Sequence, residues 1–374
     1  GISTCCAGGF KLGNINTDTI ESALSSEQAK QIRESMKQGK LPEDYCKLCI
    51  NAKKDGLYNE QDWHNSLNED FEIKNVNNEY QYPVIFDARW SNTCNSACVY
   101  CGPLFSSKWA STLSSHGQKP NKDNKDKIKT FFLDRSDRLK TVAMVGGEPL
   151  LMKENSDLLD FIPPHVNIDI ITNLSTDVTK SKVFEKLLQR QKVSWHISLE
   201  NVGERYEYVR QGSQWKTLIN NLKILGDPPQ KNDHEIQFLS LFHLLNGTHL
   251  CEFKDFAKEA ISFFPHFREK NPHMKNIEIV WQNFWEPKEL HITNYGADVL
   301  GKIMIEIEKY LSTDTPTSER DYFESKIQKL KKIKITTDQK TKQELKQFVR
   351  KNEEVFNEVG YFDRLWPELS ALLD

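Results

Sequence analysis

The sequence has almost no imbalance of charge: 50 lysines and arginines stand against 53 aspartates and glutamates, a formal net charge of −3 over 374 residues. Mixed sign of this kind gives no indication of a polyanion or an anionic membrane as an obligatory partner, so no membrane and no obligatory nucleic acid are expected. Long apolar runs are missing too. None reaches the roughly 18 residues that would cross a bilayer, and no apolar stretch follows a basic start, so a cytoplasmic protein is expected. Cysteine is too sparse for a disulfide scaffold, at eight residues in a chain long enough to build one large core or two domains without cross-links.

The few cysteines are grouped. Cys5 and Cys6, Cys46 and Cys49, and Cys94, Cys98 and Cys101 form three clusters, and Cys251 stands alone. Clustered thiols in a large intracellular chain point to metal. The chain opens on Gly1 with a cysteine pair following at once, so further residues are expected upstream.

Residues 1–75 read as a small metal-pinned module with one amphipathic helix from Ile20 to Lys37. A polar connector, Asn75 to Gln81, leads into a strand-like run from Pro83 to Trp90, where a core domain spanning residues 80–290 begins. Strand patterns follow at Thr141–Val145, Asn167–Thr172, Val193–Leu199, Glu235–Phe242 and Ile277–Gln282. Helical patterns lie between them, as at Asp157–Phe161, Ser181–Arg190, Trp215–Leu225 and Phe253–Phe264. Six strand and helix units imply an α/β domain with a parallel sheet, closed or partly closed into a barrel, whose active site lies at the carboxyl ends of the strands. Residues 291–374 read as a helical extension with a solvated lysine-rich face from Lys326 to Lys351 and an apolar finish that docks on the barrel. The run Lys119 to Lys129 reads as a charged surface loop.

The central triplet lies in Ser91-Asn-Thr-Cys-Asn-Ser-Ala-Cys-Val-Tyr-Cys-Gly-Pro103, just after the first core strand. Three thiolates on one loop can hold three irons of a cubane and leave the fourth open to a small molecule. Structural zinc closes its shell with four ligands, and no histidine is close in sequence to complete this set. One strand later comes Val145-Gly-Gly-Glu-Pro149. Its glycines allow close backbone approach, and Glu148 offers an acceptor for an ammonium. Thr172, Asn173, Ser198, Glu200 and Asn201 follow at further strand ends, with Arg210 in Val209-Arg-Gln-Gly212; such groups bind hydroxyls and carboxylates.

The triplet with Tyr100 before its last cysteine, followed in order by Gly146, Gly147, Glu148 and Pro149, resembles the radical S-adenosylmethionine (radical SAM) superfamily. The resemblance implies a partial (β/α)6 barrel carrying a catalytic [4Fe-4S] cluster on Cys94, Cys98 and Cys101, with SAM chelating the open iron. It implies that Glu148 binds the methionine amino group, and that Thr172, Asn173, Ser198, Glu200 and Arg210 face SAM. Reductive cleavage would give methionine and a 5′-deoxyadenosyl radical that abstracts hydrogen from a substrate.

The order Cys5-Cys6, Leu12-Gly-Asn-Ile15, a helix, Cys46-Lys-Leu-Cys49 and then the barrel resembles twitch or SPASM-like members with an auxiliary cluster module before the core. Gly102-Pro103, Ser107-Lys108-Trp109 and the ending from Trp366 to Leu373 share the likeness. Four outer thiolates suit a second [4Fe-4S] cluster or zinc. Members of that group carry another cysteine upstream of the pair. Either Cys5 and Cys6 are both ligands, or the set present in this chain is incomplete.

A small-molecule substrate, such as a sugar or nucleotide, is expected, with a peptide or protein as the alternative and flavodoxin or ferredoxin as the reductant. The reaction type, oxidation or epimerisation, stays open. Cys251, after the fifth strand, could return a hydrogen atom to a substrate radical as an epimerase requires, or could be an ordinary packed thiol. Trp281, Phe284 and Trp285 could line a substrate pocket or pack in the core. Outside enzymes, the competing reading is a non-catalytic iron–sulfur or zinc protein with the triplet closed by a fourth residue.

Overall fold

The computed structural model describes residues 1–5, 8–54, 84–113, 125–133, 139–227, 232–333 and 336–373. The chain divides into two compact units. One comprises Gly1–Asp87, Asn121–Thr141 and Phe161–Pro163; the other comprises Ala88–Pro120, Val142–Asp160 and Pro164–Asp374, and so holds the helical C-terminal extension with most of the strands.

The first unit gathers Leu12, Ala23, Leu24, Ala29, Ile32 and Tyr45 into a small apolar cluster. The single helix expected from Ile20 to Lys37 is two, Ile20–Leu24 and Glu27–Lys37. Paired serines separate them. Ser25 ends the first, and the Ser26 hydroxyl caps the second by accepting from Ala29 N, a local bond that competes with continued helix. Tyr45 ties the N-terminal strip to the third helix, Glu43–Lys54, its hydroxyl meeting the side chains of Ser3 and Thr4 at 2.8 Å each.

Among the described residues eight strands follow: β1 (Ile85–Ala88), β2 (Ala97–Cys98), β3 (Thr141–Met144), β4 (Asn167–Thr172), β5 (Val193–Ser198), β6 (Arg210–Gln211), β7 (Glu235–Phe242) and β8 (Glu278–Asn283). Six form one sheet in the order β1-β3-β4-β5-β7-β8, with the pairs from β4 to β8 parallel; β2 and β6 form a separate antiparallel pair. The chain is therefore an α/β protein built on a six-stranded sheet, as its alternating pattern implies.

The two sheet faces differ, which is unusual for parallel strands, most often buried on both sides. Ile168, Ile170, Trp195, Ile197, Ile236, Phe238, Ile279 and Trp281 are buried. They pack under helices, as Phe238 does against Phe253 and Phe256 of Leu250–Ala260. Alternate positions carry Asp169, Ile171, His196, Gln237, Glu278 and Val280, and Ile171 is 36% exposed. His196, Gln237 and Glu278 lie in one cross-strand row, with Gln237 donating to Glu278 at 2.7 Å. One face is thus helix-covered, and the other mixes polar and apolar side chains and is covered less completely.

Four α-helices, Ala297–Ser312, Thr317–Leu330, Gln339–Phe356 and Tyr361–Leu365, complete the chain. Trp281 belongs to the packing beneath them, ringed by Tyr310, Tyr322 and Phe323. The apolar finish docks through Trp366, fully buried against Tyr208, with its indole N–H donating to Leu245 O at 2.8 Å. Part of the expected charged loop is helical, since Lys125–Leu133 forms a helix; residues 119–124 lie outside the described residues. Among the described residues no helix is long and apolar enough to cross a membrane.

Candidate functional site

The cysteine loop leaves β1 and is fixed by hydroxyl and amide groups rather than by regular structure. Cys94 N donates to Ser107 Oγ at 3.0 Å, Ser106 Oγ donates to Ser96 O at 2.6 Å, and the Trp109 indole donates to Cys98 O at 2.8 Å. The segment Ser106–Trp109, at the start of the next helix, therefore holds the loop's shape. Cys98 is buried, and Cys94 and Cys101 are half-buried. Burial pushes the Cys94 thiol up to about 11 and Cys98 to about 12, and raises Cys101. Such thiols stay protonated unless a cation compensates them, which iron would do. Among the described residues no three histidines, cysteines or carboxylates converge on one ion-sized point.

The turn after β3 lies directly against this loop. A Cβ on Gly147 would fall 2.3 Å from Thr93 O, and Gly146 has φ +120°, so both positions require glycine. Glu148 N donates to Thr93 O at 2.7 Å, Pro149 opens a short 3-10 turn, and the Glu148 side chain is wholly buried. Its carboxylate accepts from Thr172 Oγ1 at 2.6 Å, Asn173 N at 2.8 Å and Leu150 N at 3.1 Å. No side-chain cation pairs with it among the described residues, and burial raises its pKa. A buried carboxylate with three donors and no direct ion pair, Arg210 acting on it only from a distance, is prepared for a cationic ligand.

Asn173 continues the contact. Its Nδ2 reaches Asn95 Oδ1 at 2.9 Å, Ser96 Oγ at 3.2 Å and Cys94 Sγ at 3.8 Å. Ser96, Ser175 and Ser213 close a hydroxyl network, at 2.6 Å for Ser96–Ser213 and 2.9 Å for Ser175–Ser213. Leu174, between Asn173 and Ser175, has φ +48°, a strained conformation for leucine. Thr172 Oγ1 accepts from Leu174 N and Asn173 Oδ1 from Ser175 N, both at 2.9 Å, which fixes the turn.

Ser198 closes β5, and Glu200 and Asn201 follow it. Glu200 is spent on Arg210 in a buried pair at 2.7 Å. Thus Cys94, Cys98, Cys101, Tyr100, Gly146, Gly147, Glu148, Thr172, Asn173, Glu200 and Arg210 belong to one contiguous region.

His243 was not among the residues singled out from sequence, although it immediately follows β7 and the strand-end rule reaches it. Its ring lies 5.6 Å from that of Tyr100 and 5.3 Å from that of Phe284. Phe284 therefore lines the site, Trp281 packs away from it, and Trp285 is 51% exposed. His243 Nδ1 accepts from Leu245 N at 3.1 Å, so the neutral ring carries its proton on Nε2, and Nε2 has no partner among the described residues. Burial, with Arg210 nearby, depresses its pKa to about 3. Leaving such a donor unsatisfied costs about 1–3 kcal/mol, which a ligand acceptor would recover.

A depressed histidine pKa contributes stability above the unfolded value, and that contribution is lost as pH falls. His243→Asn, which keeps an acceptor for Leu245 N, is expected to flatten the loss of unfolding free energy between about pH 6.5 and the folded pKa by about 1.4 kcal/mol per pH unit. Urea unfolding across that range measures it.

In the first unit Cys46 sits at a kink in Glu43–Lys54, with Cys49 one turn on and buried; burial and Cys49 raise its pKa. Cys5 and Cys46 both pack on the Tyr45 cluster. Cys6 lies outside the described residues. The cysteines at positions 46, 49, 94, 98, 101 and 251 are free of disulfides. Cys251 is on the helix Leu250–Ala260, where its N–H donates to Glu306 Oε1 at 3.0 Å and its Sγ lies 3.9 Å from Glu306 O. Its contacts are thus with the C-terminal extension, and burial pushes its thiol up to about 11.

No protein-family profile matches this chain, and no curated protein does. Among solved structures, SuiB of Streptococcus suis bound to S-adenosylmethionine is similar at 15% identity and a TM-score of 0.43, over 78% of this chain and 60% of that one. Native anSMEcpe with bound AdoMet is similar at 14% identity and a TM-score of 0.39, over 61% of each chain. The chain thus spans less than two thirds of the length of these structures.

Proposed function

We propose that this chain is a radical SAM enzyme, with the catalytic [4Fe-4S] cluster on Cys94, Cys98 and Cys101 and SAM bound at the open iron. The observation that carries the reading is Glu148: a fully buried carboxylate that forms no ion pair among the described residues, on a turn packed against the three-cysteine loop. When bound, the cluster and SAM together supply a reductive cleavage that gives methionine and a 5′-deoxyadenosyl radical.

The chain's own residues bind and orient. Glu148 receives the SAM ammonium, held in place by Thr172, Asn173 and Leu150. Tyr100, Phe284 and His243 offer an apolar wall with a single N–H donor for the rest of the cofactor or the substrate. The polar side chains His196, Gln237 and Glu278 on the less covered sheet face support a polar, hydroxyl-rich small molecule such as a sugar or nucleotide, with a peptide as the alternative. The outer cysteines are assigned to an auxiliary cluster, and flavodoxin or ferredoxin to the role of reductant.

Anaerobic reconstitution with iron and sulfide, reduction with dithionite and addition of SAM should yield 5′-deoxyadenosine, read by mass spectrometry. A cluster-loaded chain that yields none would favour the competing reading, a structural or electron-carrying metalloprotein. Glu148→Gln keeps the hydrogen-bonding shape but removes the charge, and is expected to weaken SAM binding by about 10- to 100-fold in equilibrium dialysis.

A further inference from the structure

Arg210 is positioned by its own short strand. β6 pairs with β2 so that Arg210 stands opposite Cys98, and Val99 N donates to Val209 O at 2.9 Å. The side chain is buried. Its Nε and Nη2 donate to the two carboxylate oxygens of Glu200 at 2.8 and 2.7 Å. That fork leaves Nη1 facing the Cys98 sulfur at 3.8 Å, while the guanidinium carbon lies 5.7 Å from the centre of the Tyr100 ring. A guanidinium holds a carboxylate most strongly through two parallel N–H groups. Here Glu200 already holds the Nε and Nη2 edge, and Nη1 is directed at a sulfur.

We infer that Arg210 serves the cluster rather than SAM: its Nη1–H donates to the Cys98 sulfur and, with Glu200 offsetting its charge, sets the reduction potential of the cluster. The inference rests on the proposal that the triplet holds a cubane. Donation to a ligating sulfur and nearby positive charge stabilise the reduced cluster, which carries one more electron, and so move the potential upward; nearby negative charge does the opposite. Asn173 Nδ2, 3.8 Å from Cys94 Sγ, is a second donor of the same kind. Arg210 is accordingly a positioning and tuning residue, a role that the resemblance did not imply for it.

The test is a potentiometric titration with dithionite and mediator dyes, without SAM, following the reduced cluster by electron paramagnetic resonance. Three proteins are compared: wild type, Glu200→Gln, and the double variant Arg210→Met/Glu200→Met, which removes the pair without stranding a charge. Glu200→Gln leaves the cation uncompensated and is expected to shift the midpoint upward. The double variant loses the N–H···S donor and is expected to shift it downward, with SAM affinity changed by less than about threefold.

Midpoints that coincide with wild type, or a loss of about tenfold or more in SAM affinity in the double variant, overturn the inference. If the double variant does not fold, the opposite-signed shift of Glu200→Gln decides: upward supports, unchanged or downward overturns. A wild-type chain that takes up no cluster overturns both this inference and the proposed function, whereas a loaded cluster with unmoved potentials overturns this inference alone.

Discussion

Cys98→Ala is expected to lower 5′-deoxyadenosine formation by more than about 10³-fold and to remove the brown chromophore of the core cluster. Cys98 is the most buried of the triplet, it sits in the β2–β6 pair, and its carbonyl accepts from Trp109, so its sulfur has little freedom. Two remaining thiolates cannot hold a cubane, and a buried alanine offers no replacement ligand. The fold should survive, because the loop is held by Ser106, Ser107 and Trp109, all independent of the sulfur. Iron and sulfide analysis with far-ultraviolet circular dichroism separates the two effects. Iron retained at the wild-type level by a fully folded Cys98→Ala protein would refute the cluster assignment.

The sequence made the sheet legible because its strands are bounded by abrupt changes of period. Asn167–Thr172 and Glu235–Phe242 match their expected limits residue for residue. Helix limits were less visible. Ile20–Lys37 has a continuous apolar pattern, yet Ser25 and Ser26 cap and restart the chain, and such local side-chain bonds leave little mark on periodicity.

Residue type alone drew attention to the cysteines and to the glycines before Glu148, and the structure packs these two segments together. The candidate site was hidden where function depends on which partner a side chain already has. Arg210 and Glu200 were both expected to face SAM; that they also pair with each other left no mark on the sequence. His243 was passed over because a lone histidine after a strand has no motif; the missing signal was an Nε2 with no partner, which only coordinates reveal.

Glu200→Ala should be the most destabilising single change in the site, lowering the unfolding free energy by about 3–5 kcal/mol, because it leaves a buried guanidinium without its counter-charge. Burial decides the size. Glu200 and Arg210 side chains are 2% and 5% exposed, whereas Lys275 and Asp314, paired at 2.5 Å, are 76% and 72% exposed. Solvent screens the second pair almost completely, so Lys275→Ala should leave stability unchanged within error. The coulombic attraction within the buried pair barely repays the desolvation of its two ions, so replacing both is far milder than removing one. Arg210→Met/Glu200→Met should therefore recover most of the stability lost in Glu200→Ala. Urea unfolding of the four proteins under anaerobic conditions measures this. A double variant as unstable as Glu200→Ala would mean that Arg210 is needed for packing around Cys98 in its own right, not merely balanced by Glu200.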